Sequence, residues 1–142
     1  MPMQHTLHVK EESSESKNVI QTAIDKYTNK QCRIEYSGLI GRVNKIIETE
    51  YNKDIGLDYI GEKVNLSPAY LSFLYKKVTG INLIKYLSNH RMLIAKQLLL
   101  NTNLKVAQIA RQCGYNYPSY FNRLFKKLCG LTPRQYREQY PA

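Results

Sequence analysis

Between Lys63 and Arg137 the sequence holds no aspartate or glutamate, although thirteen lysines and arginines fall in the same interval. A surface that only has to stay soluble mixes its signs, so an acid-free stretch of this length points to a polyanionic partner. The imbalance is local. Residues 1–38 carry five basic and five acidic side chains, whereas 39–142 carry sixteen and six. Tryptophan is absent, and the cysteines are only three, Cys32, Cys113 and Cys129. Odd in number and without a CxxC pair, they read as reduced cytosolic thiols, and they lack the ligand spacing of a structural metal site. No apolar run approaches the roughly twenty residues of a spanning helix. The N-terminus has no apolar signal core, so nothing points to export. No nucleophile–base set or phosphate-binding loop is visible. His90 stands alone and Glu138 is the only late acid, so the residues support neither an enzyme nor a cofactor.

What the sequence does contain is one unit written twice. Pro68–Lys77, PAYLSFLYKK, is followed fifty residues later by Pro118–Lys127, PSYFNRLFKK. Pro68, Tyr70, Leu74, Lys76, Lys77, Gly80 and Tyr86 recur as Pro118, Tyr120, Leu124, Lys126, Lys127, Gly130 and Tyr136. Upstream, Ile60–Val64 pairs with Ile109–Cys113 at an offset of forty-nine, so the second copy has gained one residue in a turn. In the second copy Phe121, Leu124, Phe125 and Leu128 fall at i, i+3, i+4 and i+7, an apolar helical stripe. One step round the helix come Ser119, Asn122, Arg123 and Lys126, whose hydroxyl, amide, guanidinium and ammonium groups suit base edges and phosphates.

In chain order, residues 1–16 are polar, aperiodic and expected to be disordered, with His5 and His8 lacking further ligands. Val19, Ile20, Ala23, Ile24 and Tyr27 make one short amphipathic helix, and residues 29–37 read as a connector. A helix with Leu39, Ile40, Val43, Ile46, Ile47 and Tyr51 on one side ends before Asn52. Leu57–Val64 is a short helix, and Asn65-Leu66-Ser67 is a turn in which Asn65 tolerates the left-handed conformation; Gly114 holds the matching place. Ser67 caps a helix that begins with Pro68. Asn82 caps a long helix from Leu83 to about Leu100, striped by Leu83, Leu87, Ile94 and Leu98. Leu104–Cys113 and Pro118–Cys129 repeat the pair, and Thr132-Pro133 opens a closing helix. The expected fold is all-α: two helix-turn-helix subdomains joined by a long linker helix, about seven helices, with an N-terminal arm bearing one short helix.

The run Ile109-Ala110, Gly114-Tyr115, Ser119–Lys127, Gly130, Thr132-Pro133, Tyr136-Arg137 resembles the C-terminal signature of the AraC/XylS transcription regulators, and the resemblance covers about residues 39–140. It implies a DNA-binding domain at 39–142, with a first helix-turn-helix unit at 39–82, a linker helix at 83–101 and a second unit at 102–140. The helices at 68–79 and 118–129 would enter successive major grooves of double-stranded DNA. Carried over by position, the base-reading faces are Ala69, Ser72, Phe73 and Lys76, then Ser119, Asn122, Arg123 and Lys126. Ser67, Asn116 and Tyr117 stand at the two helix starts, where backbone N–H groups suit a phosphate; Tyr117 is a poor cap, which leaves Asn116 for that task. Many members carry Arg where this chain has Phe73. The core stripe Leu71, Leu74, Tyr75, Val78 is complete without it, which favours Phe73 as an apolar reader of a thymine methyl over extra packing.

The resemblance further implies a cytoplasmic, nucleoid-associated, prokaryotic activator that recruits RNA polymerase. It also implies a regulatory domain, sensor or receiver, for which residues 1–38 are too short. Two other classes share the charge. An RNA or single-strand binder would use the tyrosines as stacking platforms, yet these sit at helical packing positions. A helical adaptor for an acidic protein would need no polar groups repeated on both second helices.

Overall fold

The computed structural model describes residues 14–140, with side chains at Val19, Ile20 and residues 34–140. Residues 1–13, with His5 and His8, and the side chain of Cys32 lie outside the described residues; residues 14–16, expected to belong to a disordered tail, are helical. The chain divides into two units at Ser37/Gly38. Among the described residues there are seven helices: α1 (Ser14–Glu50), α2 (Leu57–Val64), α3 (Pro68–Thr79), α4 (Leu83–Asn101), α5 (Val106–Gln112), α6 (Pro118–Cys129) and α7 (Pro133–Gln139). The architecture is the all-α pair of helix-turn-helix units with a linker helix that the repeat implies. The expected break before Gly38 is not there. Residues 29–37 are helical, part of the 37-residue α1, so there is no connector between the short arm helix and the one after it. No proline falls between residues 14 and 50 to stop the helix, and the glycines at 38 and 41 cost only about 1 kcal/mol each there.

The start and stop signals act as local chemistry demands. Ser67 Oγ accepts the Tyr70 N–H at 3.2 Å, and Pro68 follows at the first helical position, where its missing N–H costs nothing. Asn82 Oδ1 caps α4 by accepting from Ile84 and Lys85. Thr132 and Gln135 close a reciprocal capping box on α7. Asn65 ends α2 at φ 59°, and Gly114 takes φ 94° at the matching place in the longer second turn.

Two cores follow from these elements. Val43, Ile47, Ile60, Val64, Leu71, Tyr75, Leu83 and Leu87 form the first. Met92, Ala95, Leu99, Ile109, Ala110, Cys113, Tyr115, Phe121 and Phe125 form the second. Helix α4 serves both, but not with one straight stripe. Its buried residues are Leu83, Leu87, Met92, Ala95 and Leu99, while Ile94 and Leu98 are only half-buried. The step from Leu87 to Met92 turns the buried face by about 140° at 3.6 residues per turn. The helix leaves one core and enters the other across that step.

An arginine that carries charge in the sequence is spent inward. Arg137 donates from Nε to the Leu99 carbonyl at 2.9 Å, from Nη1 to Leu104 at 2.7 Å and from Nη2 to Thr102 at 3.2 Å. It thus satisfies carbonyls that the end of α4 leaves without helical partners and ties α7 to the loop before α5. Arg137→Ala is expected to cost about 2–3 kcal/mol in urea unfolding, the range for hydrogen bonds from a charged donor. A loss under about 0.5 kcal/mol would show these bonds to be dispensable surface contacts.

Candidate nucleic-acid interface

Helices α3 and α6 are twelve residues each, and burial divides each lengthwise. On α3 the buried residues are Leu71, Leu74, Tyr75 and Val78, the four that the sequence pattern selects. The Tyr75 hydroxyl donates to Asn44 Oδ1 at 2.7 Å, which pins α3 to α1, and burial pushes its pKa up to about 12. On α6 Phe121 and Phe125 are buried and Leu124 is half-buried, but Leu128 is 40% exposed. The apolar line there drifts from Phe121 through Phe125 to Cys129, which packs on the second core in place of Leu128. Rings at 5.6–5.8 Å run from Tyr115 to Phe121, Phe125 and Tyr136 and fix the roll of α6 about its axis.

With one face of each helix committed, the other is open. Ala69, Phe73 and Lys76 on α3 are exposed and Ser72 is half-buried; on α6 Ser119, Asn122, Arg123 and Lys126 are all exposed. Ser67, Asn116 and Tyr117 at the helix starts are exposed too. Each expected reading residue therefore lies off the cores, on the outer side of its own helix. The start of α6 departs from expectation in one respect. Tyr117 itself holds the cap position and no side chain caps the helix, so Asn116 does not substitute for it. The first-turn N–H groups of Ser119 and Tyr120 lack the side-chain acceptor that Ser67 supplies to α3.

The charge of these faces is not internally balanced. Among the described residues the ion pairs are Lys53–Glu50 at 3.4 Å and Arg134–Glu138 at 3.2 Å, and neither involves α3 or α6. Not every base in the acid-free interval is available, however. Arg91 and Arg137 are turned onto backbone carbonyls, and Lys96 lies 5.9 Å from the Tyr136 ring centroid. Sequence reasoning missed both inward arginines. Arg137 lies in the quoted signature, a hint without a mechanism, whereas nothing in the periodicity marks Arg91. Cys113 ends α5 inside the second core, where burial pushes its thiol up to about 11 against the weaker opposing pull of Arg91. It is a small core residue held as the thiol.

A family model described as a helix-turn-helix domain matches residues 60–139. The chain is 36% identical to the C-terminal domain of AraT, a response regulator from Geobacillus stearothermophilus, with TM-score 0.71 over 72% of this chain and 86% of that one. It is 44% identical to the C-terminal domain of the two-component response regulator yesN from Fusobacterium nucleatum, with TM-score 0.66 over 67% of this chain and 93% of that one. Over 111 residues, 78% of this chain, it is 35% identical to an uncharacterized HTH-type transcriptional regulator, YtdP, of Bacillus subtilis. The chain spans 14% to 36% of the length of the curated relatives it matches at 34–35% identity.

Phe73 is the residue whose place was open between core and surface. Its ring is 60% exposed, with Lys77 Nζ 5.6 Å from the centroid. Phe73→Ala is expected to change the unfolding free energy by less than about 1 kcal/mol, the scale of one exposed cation–π contact. A loss of about 3 kcal/mol or more in denaturant unfolding would return Phe73 to the core.

Proposed function

The chain belongs to the AraC/XylS-type helix-turn-helix family, and we propose that it is the sequence-specific double-stranded DNA-binding part of a transcription regulator. In this reading residues 39–142 are the DNA-binding domain and α3 and α6 enter successive major grooves. The observation that carries it is that two related helices each bury one face and leave the other open, with Ser119, Asn122, Arg123 and Lys126 exposed on α6 and Lys76 exposed beside the apolar Ala69 and Phe73 on α3. Arg123 bonds a guanine edge bidentately, Asn122 and Ser119 read neighbouring edges, and Lys76 and Lys126 hold phosphates. Phe73 meets a thymine methyl, so the first unit contributes less hydrogen-bonded specificity than the second. The uncapped start of α6 presents its free N–H groups to a phosphate.

Activation through contact with RNA polymerase, a nucleoid-associated cytoplasmic location and the absence of enzymatic activity belong to the same proposal. So does control by a receiver or sensor domain, supported by the two neighbours that are C-terminal domains of response regulators. A single-strand or RNA binder fits less well: Tyr86 and Tyr136 pack on the cores, and although Tyr70 and Tyr120 are exposed at 45% and 49%, against the packing positions expected of them, they stand on separate helices and form no sheet platform.

Binding-site selection from random duplexes supplies the substrate for the test. Arg123→Ala should then cost about 1–3 kcal/mol on the selected duplex, relax preference at one base pair and change random-duplex binding little. Lys126→Ala should weaken both alike. Equal losses on selected and random DNA for Arg123→Ala would make it a surface charge.

A further inference from the structure

The two cores share no residue, and α4 passes from one to the other between Leu87 and Met92. In that interval Arg91 touches both units. Its Nε donates to the Tyr51 carbonyl at 2.8 Å and its Nη2 to the Lys53 carbonyl at 2.9 Å, in the loop that follows α1. Its guanidinium carbon lies 5.1 Å from the ring centroid of Tyr115, in the turn of the second unit. His90, one residue earlier, meets Tyr51 edge-on with ring centroids 5.1 Å apart. Gly114 comes so close to this joint that an added Cβ would stand 2.5 Å from the Tyr51 carbonyl oxygen and 3.1 Å from Arg91 Nη2. The second unit's turn is thus seated on the first unit's loop, with the arginine between them.

A planar guanidinium can grip two carbonyls and stack on a ring at once in a fixed fork geometry, which sets rotation as well as distance; an ammonium is a point charge with rotating donors and sets distance alone. Rotation matters for a protein that reads two grooves. Each added base pair shifts the second groove by about 3.4 Å along the duplex and about 35° around it, since a turn of about 10 base pairs spans about 34 Å. A rigid pair of helices tolerates one spacing, and a loose pair tolerates several.

We propose that Arg91 is a positioning residue for DNA recognition, locking the angle between α3 and α6 so that the chain accepts two half-sites at one spacing. The proposal rests on the reading that both helices enter the duplex. It assigns to Arg91 no contact with DNA.

The test compares wild type, Arg91→Ala and Arg91→Lys on duplexes carrying the selected site at its native spacing, at one base pair more or fewer, and each half alone. Wild type should lose at least about tenfold in affinity at the altered spacings, the cost of roughly one mispositioned base contact. Arg91→Ala should bind the native spacing more weakly, keep the wild-type affinity for each half, and show a spacing penalty of no more than about threefold, as a loose joint requires. Arg91→Lys should not restore the penalty. Helical circular dichroism at the assay temperature checks folding, and Arg91→Gln, which keeps part of the apolar stem, takes the place of Arg91→Ala if that variant does not fold. A wild-type spacing profile in the variant, with or without a uniform loss of affinity, overturns the proposal. Wild-type binding that needs only one half-site and ignores spacing overturns the two-groove reading itself, and the proposal with it.

Discussion

A helix of twelve residues is marginal in water, so α3 and α6 hold their shape by burying one face. That constraint fixes the rest. Burial of Leu71, Leu74, Tyr75 and Val78 settles which side of α3 is left for a partner, and burial of Phe121 and Phe125 does the same for α6. The exposed faces are what the cores leave over, and their orientation is as firm as the packing behind them. The aromatic contacts from Tyr115 to Tyr136 make that packing directional as well as apolar, because offset and edge-on rings resist rolling.

The basic charge has two destinations with different physics. Exposed bases on α3 and α6 have no acid partner among the described residues, and such charges act on a polyanion over about a Debye length. Inward arginines act over hydrogen-bond distance and concern the protein alone. Arg137 closes the carbonyl end of the linker helix, and Arg91 bridges the units at its middle. Counting every base in the interval as available to a polyanion therefore overstates the binding surface.

Much of this was legible in the sequence because it is local. Caps at Ser67, Asn82 and Thr132, the left-handed positions at Asn65 and Gly114, and the buried stripe of α3 all depend on residues within a few positions of one another. The repeat then carried the architecture, since a unit that appears twice with one extra turn residue has few ways to pack. What escaped depends on contacts far apart in sequence. The change of buried face along α4 needs knowledge of where two cores lie, and the Arg91 bonds span about forty residues. Leu128 stands only about 20° round the helix from Phe121, so spacing alone makes it look buried. Its exposure depends on where the second core ends along α6, which no local pattern shows, and the connector at 29–37 failed because polar composition alone does not end a helix.

The central claim is that one chain reads duplex DNA with two helices at once. Hydroxyl-radical footprinting of a selected, non-palindromic duplex, at a stoichiometry fixed by sedimentation, tests it most directly. The account predicts one chain per duplex and two protected windows about 10 base pairs apart, one helical turn. A single protected window, or two windows that appear only when two chains are bound, would contradict it.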